Sequence, residues 1–560
     1  MIRRDFMKTA LGAGIAASAA SSPAGAASVD DGGRKPRIMY YHDARHPLAY
    51  MFEPPMPKQA WEIPIDELVG TPVEVLNFGL GDGRTVFHDT KVGEVWGDPI
   101  DMWSHAIFRR AHQNVRGLLD DGVDPLRVTC ERAREKGMLV YPCLLVNQGQ
   151  RGNKIDDVRS SNFRFENRHL EIGAKGDLDD FPGATNLDFK HEEVREERFA
   201  LINEVLTNYP VGGFELQLNY NSPGPFFFHP GEVDAGREIM TAWVARVHRA
   251  LKASGADREL TIRVPADLGV AYGVGLDVRE WIRQGIVDVI VGETYRQYID
   301  CEADFRPIVE AATGSTCRVF GALNSVVVSD RLLSGTIEMI RAAASNYWGQ
   351  GVDGLYLTEW FAGSNWPYRA PFYEQLREVA HADVMAPKDK FYFVPTQSGY
   401  RTAALEKPMP LPAVLGEGET VKLDLRVADD LQRWDAEDRV RKVLLRLRIR
   451  LTEIDQIRIR FNGKELPASA LKKINNMYMM FAPCRRIFGY WFVYTLDRED
   501  WPKQGKNTVE VTLLKKDNVV VQDFTVQDVE LETKYQISRN FWVDDDPDIG
   551  PYENTGRNVR

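Results

Sequence analysis

Between residues 37 and 360, short apolar runs of strand length alternate with longer stretches whose apolar positions recur every three or four residues. The runs are RIMYYH (37–42), VEVLNFG (73–79), MLVYPCLLV (138–146), GFELQLN (213–219), ELTIRV (259–264), VDVIVGE (287–293), CRVFGAL (317–323) and GLYLTEW (354–360). Helical stretches fall between them. DPLRVTCERAREKG precedes the third run, HEEVREERFALINEVLTNY the fourth, and LLSGTIEMIRAAASNYWGQG, which closes at glycines, the eighth. This alternation predicts parallel α/β architecture, and eight units predict a closed (β/α)8 barrel of the TIM type over residues 35–395. A doubly wound open sheet is the alternative, but no GxGxxG follows the first strand.

After about residue 395 the period changes to two. KVLLRLRIRL (442–451) sets Leu445, Leu447, Ile449 and Leu451 against Arg446, Arg448 and Arg450, which predicts one face in a core and a solvated arginine face. QIRIRFNGKEL carries Asn462-Gly463, the signal of a tight hairpin. With NTVEVTLL and FTVQDVELETKY these runs predict an antiparallel β-sandwich over 396–540, followed by an acidic, Gly/Pro-punctuated tail over 541–560.

The fourth strand carries the first chemical hint. Successive side chains of a strand point to opposite faces, so Phe214, Leu216 and Leu218 share one side and Glu215, Gln217 and Asn219 the other. In a barrel the apolar set meets the helices and the polar set enters the lumen. Asn219 is then expected at the rim, Gln217 below it and Glu215 deeper, with the YNSPGPFFF loop over the mouth. Active sites of such barrels gather at the C-terminal strand ends. Glu293 and Glu359 also end apolar strands, each followed by an aromatic, so three glutamates are expected to converge on one cavity.

Two carboxylates flanking a glycosidic bond are what glycoside hydrolysis needs, one to protonate the leaving oxygen and one to attack or to activate water. The candidate catalytic residues are therefore Glu293, preferred as general acid, with Glu215 or Glu359 as nucleophile or base. Candidate substrate-binding residues are Asn219, Gln217, His42, Asp43, Asn147, Arg263, Tyr295, Trp360 and Trp366. Duller alternatives stand beside these. A strand-end glutamate can pair with Arg263 or cap a loop, His42 and Asp43 can form an ordinary turn, and Trp360 can be a packed rim residue.

The stretch NLDFKHEEVREERFALINEVLTNYPVGGFELQLN resembles the glycosyl-hydrolase-like family 10 proteins, relatives of TIM-barrel glycosidases. The likeness is carried by Asp188, Phe189, Val194, Arg195, Tyr209, Gly213 and Glu215, while VDVIVGETY and GVDGLYLTEWF are similar to the family's sixth and eighth strands. It covers the barrel and implies a (β/α)8 fold acting on carbohydrate. Two positions depart from the family: Gly212-Gly213 stands where the family has Asp-Gly, and Gln217 replaces its second strand acid. The sandwich resembles accessory β-domains of secreted glycosidases.

Composition narrows the partners. A net charge of −11 over 560 residues argues against general nucleic-acid binding and strongly sulfated substrates, although local charge can override the total. MIRRDFMKTALGAGIAASAASSPAGAAS opens with an arginine pair, a short run of small and apolar residues and an Ala-Gly-Ala site. This predicts a twin-arginine export signal over residues 1–26 and a periplasmic or extracellular protein. No later stretch is long and apolar enough for a membrane helix. The five cysteines show no CxxC spacing, a Cys301–Cys317 bridge is conceivable, and HExxH, a Walker loop and an EF-hand are absent; two-carboxylate chemistry requires no cofactor, and a Ca²⁺ stabilising a loop stays open. The chain is thus expected to be an exported glycoside hydrolase. The alternatives are a non-catalytic carbohydrate-binding barrel and, on the thin hint of Arg263 with Tyr295, a lyase acting on a uronate. Oligomeric state, sugar and stereochemistry stay open.

Overall fold

A computed structural model of the chain describes residues 35–146, 161–219, 224–294, 298–327, 335–358, 360, 376–396, 409–477, 479–481, 484–486 and 489–536. Eight parallel strands close into a barrel: β1 (Ile38–His42), β2 (Val75–Gly79), β3 (Leu139–Leu145), β4 (Gly213–Gln217), β5 (Glu259–Pro265), β6 (Val289–Glu293), β7 (Arg318–Leu323) and β8 (Gly354–Leu357). Each pairs with its neighbours in chain order, and β1 closes the circle on β8 through Ile38 opposite Leu355.

The helices begin where the side chains allow. Asp124 caps Pro125–Glu135 by accepting from the backbone N–H of Leu126 and Arg127 at 2.9 and 3.2 Å, and Pro125 sits in the first turn, where its missing N–H costs nothing. Thr336 caps Ile337–Trp348 in the same way.

The period-two expectation for β4 holds. Phe214, Leu216 and Leu218 are buried in the apolar layer between barrel and helices, while Glu215 turns to the barrel axis. The lumen is a packed stack, not a pore. Near its floor Tyr141 and Arg318 donate to Glu259 at 2.8 and 2.6 Å, and Met39, Tyr41, Val75, Cys143, Val289, Val291, Phe320 and Tyr356 fill the space above. The floor also explains a glycine that carries the family likeness. A Cβ on Gly213 would stand 2.5 Å from the Glu259 carbonyl oxygen, so only glycine fits there.

The chain then forms antiparallel sheets from β9 (Lys390–Phe393), β10 (Ala413–Val414), β11 (Thr420–Val427), β12 (Val440–Arg450), β13 (Gln456–Phe461), β14 (Lys464–Glu465), β15 (Leu471–Asn476), β16 (Gly489–Thr495), β17 (Gly505–Lys515) and β18 (Thr525–Tyr535). One sheet runs β9-β18-β12-β16-β15, with β10 also on β18, and a second runs β11-β17-β13-β14. Strand β9 lies before residue 395, where the change of sequence period divides the chain. Leu445, Leu447 and Ile449 of one sheet and Leu423, Leu425 and Val511 of the other belong to the same buried core. Asn462 and Gly463 both take positive φ, 49° and 82°, and join β13 to β14 as the tight hairpin their sequence predicts.

The arginine face of β12 is a correction. Arg446 and Arg448 are buried, not solvated: Arg446 pairs with Glu532 and lies 3.8 Å from Glu530, and Arg448 pairs with Asp528. The physical reason is phase. Asp528, Glu530 and Glu532 alternate on β18 in register with the arginines, and Trp491 covers Arg446 at 4.8 Å. A Cys301–Cys317 bridge does not form; both are free and buried.

Candidate active site

Arg263 is the centre of the lumen. Its Nε donates to Glu215 Oε1 at 2.9 Å, its guanidinium lies 4.4 and 4.9 Å from the ring centres of Tyr41 and Tyr356, and Nη1 stands 3.6 Å from Glu293 Oε1. Both members of the Arg263–Glu215 pair are sealed from solvent. The second oxygen of Glu215 accepts from Asn77 Nδ2 and from the Tyr356 hydroxyl, each at 2.8 Å. A carboxylate in that position is satisfied on both oxygens and has no open face, so Glu215 holds the arginine rather than meeting a substrate.

Glu293, at the C-terminal end of β6, shares the proximity to Arg263 and also accepts on both oxygens, but it is not sealed. Its side chain is 15 % exposed. Oε2 accepts from Asn219 Nδ2 at 3.1 Å and Oε1 from the Thr358 hydroxyl at 3.2 Å. Burial pushes its carboxyl above the usual carboxylate range and the nearby Glu215 charge adds to that, against the opposing pull of Arg263, Asn219 and Thr358. The Oδ1 atom of Asn219 is buried with no hydrogen-bond partner among the described residues, which leaves an acceptor beside Glu293 for a ligand hydroxyl.

A cavity of about 1040 Å³ opens in front of Glu293. Asp267, Glu293 and Glu302 line it on the barrel side, and Lys422 and Arg426 of β11 with Lys506 of β17 line it on the other. Burial raises the Glu302 carboxyl to about 7.

Other candidates fall elsewhere. Gln217 is buried in the lumen with Cys143 Sγ at 3.9 Å from its Oε1. His42 is corrected: it lies on the same side of β1 as Ile38 and Tyr40, stacks on Phe78 at 5.4 Å and accepts from the Ala44 N–H at 3.1 Å, and burial lowers its pKa to about 4. Asp43 is likewise the ordinary turn, accepting from the backbone N–H of Arg45 and His46 at 2.9 Å. Burial would raise its pKa, but Arg45 and His46 hold it well below the usual range. Trp360 is no stacking platform: it is 0 % exposed, and its Nε1 donates to the Leu323 carbonyl at 2.8 Å.

The phenylalanine run is also corrected. Phe226, Phe227 and Phe228 are all buried, because the Phe227 carbonyl accepts from Phe189 N–H at 2.8 Å and the Phe226 carbonyl from Asn186 at 3.0 Å, which peg the loop inward. Glu359, Asn147, Tyr295 and Trp366 lie outside the described residues. Sequence reasoning missed Asn77, Tyr356 and Thr358, which hold the two lumen glutamates. The signal existed, since Asn77 and Tyr356 occupy lumen positions of β2 and β8, but a lone Asn or Tyr in an apolar strand announces no chemistry. Among the described residues no cluster of side chains could hold a metal ion and no helix is long and apolar enough to cross a membrane.

No protein-family profile matches the chain, and no curated protein matches it in sequence. Solved structures similar to it include α-L-fucosidase isoenzyme 2 from Paenibacillus thiaminolyticus, at 12 % identity and TM-score 0.40, covering 63 % of this chain and 50 % of that one. The β-galactosidase of the psychrophilic Marinomonas ef1 is similar at 11 % identity and TM-score 0.39, covering 61 % of this chain and 59 % of that one. An endo-1,4-β-mannanase from Rhizomucor miehei is similar at 9 % identity and TM-score 0.40, covering 63 % of this chain and 95 % of that one. The chain thus spans about half of the fucosidase and three fifths of the galactosidase. At such identities no activity passes from those enzymes to this chain. What the strand order of this chain itself establishes is its architecture: a (β/α)8 barrel of the TIM type followed by antiparallel β-sheets.

Proposed function

We propose that the protein is a glycoside hydrolase exported by the twin-arginine route, with Glu293 as general acid. One observation carries the reading: at the C-terminal end of a barrel strand, Glu293 fronts a cavity of about 1040 Å³ with its pKa raised by burial. A carboxyl whose protonated form is favoured by burial can donate to a departing glycosidic oxygen, and Asn219 and Thr358 fix its orientation. Glu215, bound by Arg263, Asn77 and Tyr356, is a positioning residue. The second carboxylate of the pair is assigned to Glu359, and the resemblance to the glycosyl-hydrolase-like family 10 proteins supports a carbohydrate substrate.

A non-catalytic glycan-binding barrel is the second reading, favoured by the single arginine that binds Glu215 and stands 3.6 Å from Glu293. Chromatography of products from a panel of polysaccharides decides between them. The hydrolase reading expects saturated reducing ends from the wild type and a loss of roughly 10²- to 10⁴-fold in kcat with Glu293→Gln. Equal activity of wild type and variant refutes the assignment of Glu293. Binding without any product establishes the second reading, and an unsaturated uronate product replaces hydrolysis with elimination.

A further inference from the structure

The outer face of the second sheet continues the cavity. Leu423, Leu425 and Val427 of β11, Val509, Val511 and Leu513 of β17, and Ile459 and Phe461 of β13 are buried, so the alternate positions form the opposite face. That face carries Lys422, Asp424 and Arg426 on β11, Lys506, Thr508 and Glu510 on β17, and Arg458 and Arg460 on β13, and register joins them: Arg426 opposite Lys506, Lys422 opposite Glu510, Arg460 opposite Glu510.

Charge is unevenly satisfied there. Lys422 pairs with Glu510 at 3.3 Å and Lys506 with Asp424 at 2.7 Å, which uses both acids. Arg426, Arg458 and Arg460 make no ion pair among the described residues, and the Nε of each is buried without a hydrogen-bond partner. Glu465, opposite Arg460 across the hairpin, makes no ion pair with it. Among the described residues these three guanidinium groups form no ion pair, although the charge of Arg426 lowers the carboxyls of Glu302 and Asp304, in a chain of net charge −11. They begin at the cavity wall, which Lys422, Arg426 and Lys506 line together with Glu293.

We propose that this face binds a uronate-bearing glycan and feeds it to the cavity. The planar fork of arginine matches a carboxylate through two parallel hydrogen bonds, and forks spaced along one sheet face suit an extended chain that carries one carboxylate per sugar. The antiparallel sheets are then one wall of the substrate site, not an appendage. This deepens the proposed function and rests on reading the cavity as a glycan site.

The test uses the full-length Glu293→Gln protein, so that substrate survives, and calorimetric titration with oligogalacturonate, oligomannuronate, carboxyl-reduced oligogalacturonate, dextran sulfate and duplex DNA. Binding of a uronate oligomer is expected, with the carboxyl-reduced form at least tenfold weaker and the sulfate and DNA weaker than the uronate. Adding Arg426→Gln, Arg458→Gln and Arg460→Gln weakens uronate binding at least tenfold. Adding Lys58→Gln, Lys136→Gln and Arg283→Gln, equal in charge but on barrel helices or their ends, leaves it unchanged. An unchanged unfolding midpoint shows that the arginine variant is folded; a lowered one shifts the comparison to Arg458→Gln and Arg460→Gln, at least threefold weaker together.

The proposal is overturned if neither uronate binds, if the reduced oligomer binds equally, if sulfate or DNA binds as tightly, or if the arginine variant binds like its parent. Cleavage of a neutral glycan that depends on Glu293, without uronate binding, overturns this inference and leaves the hydrolase reading standing. Uronate binding without cleavage by the wild type does the reverse.

Discussion

Replacing Arg263 with methionine tests the electrostatic centre of the barrel. Methionine keeps most of the length and apolar stem but removes the fork that donates to Glu215 at 2.9 Å and lies against the rings of Tyr41 and Tyr356. Glu215 keeps Asn77 and Tyr356 as donors, each at 2.8 Å, but loses its counter-charge in a place closed to water. Two unit charges about 4 Å apart at an effective dielectric of 20 attract by about 4 kcal/mol. Breaking one side of a buried pair costs about 3–5 kcal/mol. Arg263→Met is therefore expected to destabilise the protein by about 3–5 kcal/mol. Combining it with Glu215→Gln removes the stranded charge, so the double variant is expected to recover about 2 kcal/mol relative to the sum of the singles. Equilibrium urea unfolding followed by circular dichroism and by tryptophan fluorescence measures this, with coincident transitions as the condition for a two-state treatment. A single-variant cost below about 1 kcal/mol, or strict additivity in the double variant, refutes the reasoning.

Three further outcomes follow from the same contacts. Tyr356→Phe deletes one donor to the buried Glu215 carboxylate and is expected to cost about 1.5–3 kcal/mol of unfolding free energy in the same assay. Glu302, raised to about 7 from 4.5, binds a proton more tightly folded than unfolded, so its contribution to stability is full below about pH 4.5 and is lost as pH rises to about 7. That difference amounts to at most about 3 kcal/mol, and Glu302→Gln is expected to flatten the corresponding slope in a series of unfolding curves between pH 4.5 and 8. Trp360→Ala empties a fully buried site and removes one of two donors to the Leu323 carbonyl, which keeps the Thr358 N–H, so a loss of about 3–5 kcal/mol is expected, mostly from the cavity, which a lowered urea midpoint detects.

The barrel was readable because each strand is buried on both faces and so forms an apolar run bounded by turn residues, and because eight such runs leave few other topologies. The alternation of Glu215 and Gln217 with Phe214 and Leu216 was also enough to put those polar groups in the lumen. What alternation cannot give is the partner. Glu215, expected deep, takes Arg263, a partner the sequence offers, and also Asn77 and Tyr356, which it does not announce, while Glu293 at its strand end fronts a cavity. His42 was misplaced because it ends its strand one residue out of phase with the lumen positions Met39 and Tyr41. Arg446 and Arg448 were misread because their acids lie some eighty residues away on β18. Asp188, Phe189 and Arg195, which carry the family resemblance, serve the scaffold: Phe189 N–H pegs the phenylalanine loop and the Arg195 guanidinium binds the Lys190 carbonyl at 2.8 Å.

The central claim is that Glu293 hands a proton to the leaving group, and leaving-group dependence tests it most directly. Once a cleaved glycan is known, kcat for that natural linkage and for the 2,4-dinitrophenyl glycoside of the same sugar are compared in wild type and Glu293→Gln. The account predicts a fall of roughly 10²- to 10⁴-fold on the natural linkage and of less than about tenfold on the dinitrophenyl glycoside, whose leaving group departs without a proton. Equal losses on the two substrates would contradict it.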